Sequence, residues 1–160
     1  MNVLIVYDTV FGNTEKIALS IGEAMQSNAF VKVINIKDFS SDELNGTDLL
    51  LFGSPTRGFQ ATPAINDTLK ALPANSLAGL KSAAFDTRLR MEDIKSKFAR
   101  FIVNRGGFAA KKIDNQLKKK SAVMLTEPAG FLVTGDQGKD MVPGEPDRAT
   151  QWAKTLLEKA

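Results

Sequence analysis

The sequence contains no cysteine and no histidine, and only one tryptophan and one tyrosine. Without cysteine there is no disulfide, no thiolate-ligated zinc or iron–sulfur cluster and no thiol nucleophile. Without histidine the Ser-His-Asp triad in its usual form is excluded. Side-chain chemistry is left to carboxylates, lysines, hydroxyls, an oxygen-ligated metal or a borrowed cofactor. Long apolar runs are missing too: none approaches the roughly 20 residues that span a bilayer, and the first residues enter a strand-like segment with no basic region or cleavage site ahead of it. A cytoplasmic protein with no membrane span is expected.

What is present suits one domain over residues 1–160, because 160 residues at 43% hydrophobic content supply a single core. Met1 to Tyr7 is a continuous apolar run of the kind that forms a strand buried on both faces. Ile17, Ala18, Ile21, Ala24 and Met25 then recur at helical spacing, giving a helix through about Asn28. The alternation continues with strands at Val31–Ile36, Leu49–Gly53 and Leu80–Phe85, and a helix over Ala61–Leu72. An interrupted fifth strand, Val123–Leu125 with Phe131–Val133, is broken near Pro128 and Gly130. Helices are expected over about Glu92–Val103, Gly107–Lys119 and Glu145–Lys159, the last with Trp152 on its apolar stripe. Strands alternating with helices imply an α/β fold, a doubly wound five-stranded parallel sheet in a three-layer sandwich.

The first strand leads into Asp8-Thr9-Val10-Phe11-Gly12-Asn13-Thr14 and then a helix. Such a loop suits an anion, since the helix N-terminus offers unpaired N–H groups and a glycine lets backbone approach closely; Asn13 or Thr14 serving only as a helix cap is the plainer reading. There is no loop lysine, and neither G-x-x-x-x-G-K-[ST] nor G-x-G-x-x-G occurs, which argues against nucleoside triphosphates and dinucleotides and for a monophosphate held by neutral donors. The third strand leads into Gly53-Ser54-Pro55-Thr56-Arg57-Gly58-Phe59.

These two segments resemble the flavin loops of the flavodoxin family, the first in its Tyr7–Glu15 stretch and the second in the G-[ST]-P-T-R form also seen in flavodoxin-like quinone reductases. The resemblance extends over essentially the whole chain and implies strand order 2-1-3-4-5. It also implies FMN as cofactor: phosphate on Thr9, Val10, Phe11, Gly12, Asn13 and Thr14, and isoalloxazine between Pro55, Thr56, Arg57, Gly58 and Phe59 and a segment after strand four, Asp86, Thr87, Arg88 and Leu89. Phe11 stands where the family usually has a hydroxyl. The family's Trp and Tyr about the ring have no obvious counterpart, leaving Phe59 as the stacking candidate and Phe101, Phe108 or a partner for the outer face. In the resemblance, the backbone near Gly58 flips its carbonyl toward the flavin, which a glycine permits. The function implied is electron transfer between redox partner proteins with no catalytic side chain. FMN-dependent NAD(P)H:quinone oxidoreduction is the alternative, with a quinone as substrate. A flavin-free regulatory or interaction module is a further one, although strand three ends in Phe52-Gly53-Ser54 and not in a phospho-acceptor aspartate.

Charge is unevenly spread. Residues 88–120 hold eleven Lys/Arg against Glu92, Asp93 and Asp114, an excess of eight in a chain whose net charge is +3, so the remainder carries −5. A solvated pair of helices is the plainer reading, and an acidic redox partner the sharper one. Nucleic acid is not expected, because aromatics are not interleaved with Lys118–Lys120. Asp136 and Asp140, beside Gly135 and Gly138, read as a surface turn. Arg57 and Arg88 would each favour a reduced, anionic cofactor: one charge about 8 Å away at an effective dielectric of about 20 is worth roughly 2 kcal/mol, or roughly 90 mV.

Overall fold

The computed structural model describes all of residues 1–160. Its elements, in chain order, are β1 (Asn2–Tyr7), α1 (Asn13–Met25), β2 (Phe30–Asn35), β3 (Leu49–Pro55), α2 (Pro63–Ala71), β4 (Lys81–Leu89), α3 (Lys97–Gly106), α4 (Ala109–Lys119), β5 (Val123–Met124), β6 (Ala129–Thr134), β7 (Asp140–Met141) and α5 (Glu145–Lys159).

The first apolar run has no solvent side because its alternate residues enter different cores. Val3, Ile5 and Tyr7 join Ile17, Ile21 and Met25 of α1 and Ala149, Ala153 and Leu156 of α5. Leu4 and Val6 face the opposite way, with Ile65 and Leu69 of α2 and Ile113 and Leu117 of α4. The sheet is thus covered on both faces, as parallel sheets require. Trp152 packs edge-on against Phe85 and Phe131, ring centroids 6.2 and 6.1 Å away, and is part of this packing.

Strand order is β2-β1-β3-β4-β6-β7. The first five places are parallel and follow the expected order, with β6 fifth. Two features depart from five simple strands. The interrupted fifth strand is two separate pieces, β5 beside Lys81 and Ser82 and β6 beside Phe85–Leu89, with Pro128 between them unable to donate to a ladder. In addition, β7 pairs antiparallel with Val133 and Thr134, so the sheet is mixed at that edge.

Two boundaries matter for the site. β4 runs to Leu89, so Asp86–Leu89 belong to the strand and not to a loop after it. The helix expected over Glu92–Val103 is instead a single 3-10 turn at Met91–Asp93 followed by α3, whose start is fixed by the Ser96 hydroxyl accepting from the Ala99 N–H at 3.2 Å. The first helix ends at Met25, three residues short of its expected end.

Candidate functional site

Register brings the carboxyl ends of β1, β3 and β4 level: Tyr7 lies beside Gly53, Gly53 beside Phe85, and Pro55 beside Thr87. Gly53 is required there, because a Cβ on it would come within 2.1 Å of the Phe85 ring. Past these ends opens a cavity of about 440 Å³, within the range of small-ligand sites. The crevice lies where strand order reverses, with β1 leading back to β2 and out to β3.

One end of the cavity is the β1–α1 loop. Thr9, Val10, Phe11, Asn13 and Thr14 line it. Gly12 does not, but its φ of +83° makes the turn into α1, and no atom lies within 4 Å of the position its Cβ would take. No side chain caps α1, so its first-turn N–H groups and partial positive charge remain available to an anion. The side chains are partly committed. Asn13 donates to the carbonyls of Gly138 and Lys139 at 3.1 and 2.9 Å, and Thr9 Oγ1 accepts from the Gly12 N–H at 2.9 Å. The Thr14 and Thr87 hydroxyls share a bond of 2.8 Å. Phe11 is held between two cations, Arg57 at 5.6 Å and Lys139 at 5.9 Å from its ring centre.

The second wall is a tight hairpin. Arg57 and Gln60 exchange both backbone bonds at 2.9 Å, and Gly58 and Phe59 at its tip have φ of +52° and +64°. Two successive residues in the left-handed region form the turn that matches strand twist. Glycine takes that conformation freely; phenylalanine does so at a cost of about 1–2 kcal/mol. Lys112 Nζ holds the strained residue by donating to the Phe59 carbonyl at 2.5 Å, and burial pushes that lysine's pKa down.

The third wall is the end of β4. Thr87, Arg88 and Leu89 line the cavity, whereas Asp86 is fully buried beneath it. Asp86 accepts from Arg88 Nε at 2.5 Å, from the Ala110 N–H at 2.7 Å and from the Thr56 hydroxyl at 3.2 Å. Thr56 Oγ1 in turn accepts from the Ala109 N–H at 3.0 Å. Helix α4 has no cap of its own. It is capped from β3 and β4, which ties the cavity floor to the helix behind it. Burial pushes the Asp86 pKa above the usual carboxylate range, against the opposing pull of Arg88, Ala110 and Thr56. Arg88 lies over the Phe108 ring at 4.2 Å and across Gly130, where a Cβ would meet its guanidinium at 2.2 Å. Arg88 is thus tied to Asp86 and Phe108 inside the wall, whereas the Arg57 guanidinium is hydrogen-bonded only to Gln137 at the exposed rim.

A family model described as Flavodoxin matches residues 5–153, with both loops and all three walls inside the match. The chain belongs to the flavodoxin family. Among solved structures it is similar to a flavodoxin from the domain Archaea, at 19% identity and TM-score 0.77, covering 99% of this chain and 98% of that one. Oxidised Flavodoxin 2 from Bacillus cereus superposes at 20% identity and TM-score 0.75, with both chains fully covered. A flavodoxin, WrbA-like protein from Agrobacterium tumefaciens superposes at 12% identity and TM-score 0.68, covering 99% of each chain. No curated protein matches the sequence. At these identities the structural likeness shows the flavodoxin fold.

The sequence motifs for the first two walls fall on this cavity. The remainder of its lining, Asp93 to Ser96, Val133, and Gln137 and Gly138, carries no motif that marks it as such in the sequence. Gln137, with a φ of +55°, belongs to the turn around Asp136 and accepts hydrogen bonds from Arg57 at 3.3 and 3.4 Å. The glycines at 135 and 138 marked that turn in the sequence, but nothing local tied it to Arg57, 80 residues away. Phe108 lines the cavity, as one of three possible covers for the outer face; Phe101 does not.

Proposed function

We propose that this chain binds FMN in the cavity and carries electrons between redox partners. The observation that supports this most directly is the pairing, across one 440 Å³ cavity, of an uncapped helix N-terminus with the left-handed Gly58–Phe59 hairpin. The residues fit the cofactor. Backbone N–H groups at Asn13 and Thr14 and the hydroxyls of Thr9 and Thr14 would hold the phosphate, with the Gly12 N–H bracing Thr9. The Asn13 side chain, already bonded to Gly138 and Lys139, would hold the loop in shape. Phe11 replaces a hydroxyl in the family pattern, yet its place beneath Arg57 and Lys139 keeps two cations near the phosphate end.

Bound FMN would supply the redox chemistry, and the chain's part is to position it and control access. Phe59 would pack on the ring, Gly58 would offer a backbone carbonyl free of side-chain crowding, and Arg88 would be held in place by Asp86 and Phe108.

Titrating the apoprotein with FMN, riboflavin and FAD, read by absorbance and fluorescence, tests the proposal. Stoichiometric, quenching FMN binding with far weaker riboflavin binding is the expected result; no binding of any flavin would move the protein to the flavin-free class. A second reading, NAD(P)H:quinone oxidoreduction, is favoured by Arg57, Arg88 and Lys95 around the cavity, which would suit an anionic nucleotide. Steady-state NADPH oxidation with a quinone separates the two.

A further inference from the structure

Helix α3 leaves the cavity rim with its aromatic side outward. Ile94, Lys95 and Ser96 line the cavity, and Ser96 caps the helix. Phe98 is 72% and Phe101 54% exposed, whereas an amphipathic helix packed on a core would bury both. Within α3 only Val103 is buried. Lys97 and Arg105 flank the two rings, with the Arg105 guanidinium 5.7 Å from the Phe101 ring centre. Arg100 is otherwise engaged, donating to the carbonyls of Ile94 and Glu92 at 2.6 and 3.3 Å and fastening the rim segment to the helix.

The surrounding stretch, residues 88–120, holds eleven cations against three carboxylates, while the rest of the chain has a net −5. Six of the eleven, Arg88, Arg90, Lys95, Lys97, Arg100 and Arg105, fall between the cavity end of β4 and the end of α3 against only Glu92 and Asp93, whereas Lys118–Lys120 end α4 near the start of β4, away from the cavity. Such asymmetry orients a negatively charged partner before contact. Exposed aromatics ringed by cations form the core and rim of a small interface, aromatics supplying the desolvated centre and charges the steering.

We propose that the α3 face, centred on Phe98 and Phe101 and rimmed by Lys97 and Arg105, is the docking surface for an acidic redox protein. The inference rests on the reading of the cavity as a flavin site. Charge complementarity picks the occupant: a partner with a negative surface would be drawn to this side and would settle beside the rim segment Ile94–Ser96. Ten residues of helix with two exposed rings match the small footprint of a transient electron-transfer encounter.

The test uses the FMN-loaded protein and a pre-reduced, strongly acidic [2Fe–2S] ferredoxin as probe. One electron leaves the ferredoxin cluster and one is gained by the bound FMN, with no heavy-atom bond made or broken. Stopped-flow rates are compared for the wild type, Phe98→Ser/Phe101→Ser and Lys97→Glu/Arg105→Glu, between ionic strengths of about 10 mM and 1 M. The charge reversal is expected to slow the low-salt rate roughly tenfold or more, with the difference vanishing at high salt. The aromatic variant should slow it roughly fivefold at all salt concentrations. Reduction by zwitterionic propylviologen sulfonate should be the same in all three proteins. Equal ferredoxin rates in all three, or a flat salt profile, overturn the proposal while leaving FMN binding intact; failure to bind FMN overturns the flavin reading instead. Ferredoxin rates unchanged by the variants, with loss either of binding to vesicles containing phosphatidylserine or of a self-associated dimer in sedimentation, would reassign the face to a lipid surface or a second copy.

Discussion

The two ends of the cavity are built from different materials. At the β1–α1 end the loop's own donors are backbone N–H groups and neutral hydroxyls, placed by a buried strand and a helix that shares a core with α5, with Arg57 and Lys139 flanking Phe11 beside them. At the far end, from Arg88 to Phe108, six cations face two carboxylates, and Phe98 and Phe101 are exposed. The first arrangement suits a ligand that stays, because its donors are fixed before binding and lose little freedom. The second suits a ligand that comes and goes, because long-range charge brings it in and a small apolar centre holds it briefly.

A carboxylate placed at each end should separate these roles most sharply. Gly12→Asp puts a negative charge beside the proposed phosphate position and forces a side chain into the left-handed region. Like charges about 4 Å apart at an effective dielectric near 20 repel by about 4 kcal/mol, so FMN affinity should fall at least roughly a hundredfold. Riboflavin, which has no phosphate, should bind much as before. Phe98→Asp, at the other end, should leave FMN affinity unchanged. Calorimetric titration of both variants checks this, and equal loss of FMN and riboflavin at Gly12→Asp would erase the distinction between the ends.

The cavity floor joins the two ends, and Thr56→Val should weaken that joint. It removes the hydroxyl that accepts from the Ala109 N–H and donates to Asp86, leaving the start of α4 with one cap instead of two. Loss of a cap costs about 1 kcal/mol, which for a domain of this size lowers Tm by roughly 2–4 °C. Differential scanning calorimetry reads the shift. Hydrogen exchange should rise at Ala109 and Ala110 and stay unchanged in α1.

Much of this architecture is legible in the sequence, and the illegible part has a common cause. Buried parallel strands announce themselves because both faces are apolar, as in Val3–Tyr7 and Leu49–Phe52. The two loops were readable because backbone approach demands glycine at particular places. The reach of β4 to Leu89 was not, since Asp86 and Arg88 look like loop residues until each is seen to be the other's partner. The cap on α4 comes from residues 24 and 53 positions away, which no local pattern encodes. Likewise, the spacing of Phe98 and Phe101 in the expected Glu92–Val103 helix puts them on one face without saying what that face meets.

Asp86 provides a finer test of the floor through pH. Its pKa is raised in the folded protein, so between the unfolded value near 3.8 and the folded value the native state binds more protons than the unfolded chain. Its contribution therefore favours folding at the acid end of that window and is lost as pH rises through the folded pKa. Asp86→Asn abolishes this titration. The stability of the wild type relative to Asp86→Asn should rise as pH is lowered from 7 toward 4, measured by urea denaturation at each pH. A relative stability that falls on acidification would mean that Arg88, and not burial, dominates the carboxylate's environment.

The smallest expected signal comes from the rigid end, and it carries no stability change at neutral pH. Tyr7 closes β1, donates to Glu15 Oε1 at 2.6 Å, and has its pKa pushed up to about 12 by burial and then by that carboxylate. It is the only tyrosine in the chain, so phenolate absorbance near 295 nm reports it alone. The native protein should titrate near pH 12 and the urea-unfolded chain near 10. Because the phenol is held neutral, its stabilising contribution is complete below pH 10 and disappears as pH rises through 12. Glu15→Gln removes the nearby charge and should bring the native midpoint down only part of the way, since burial is the larger cause. A native midpoint at 10 would mean that water reaches the base of the loop, and the contrast between a preformed end and an adaptable end of the cavity would not hold.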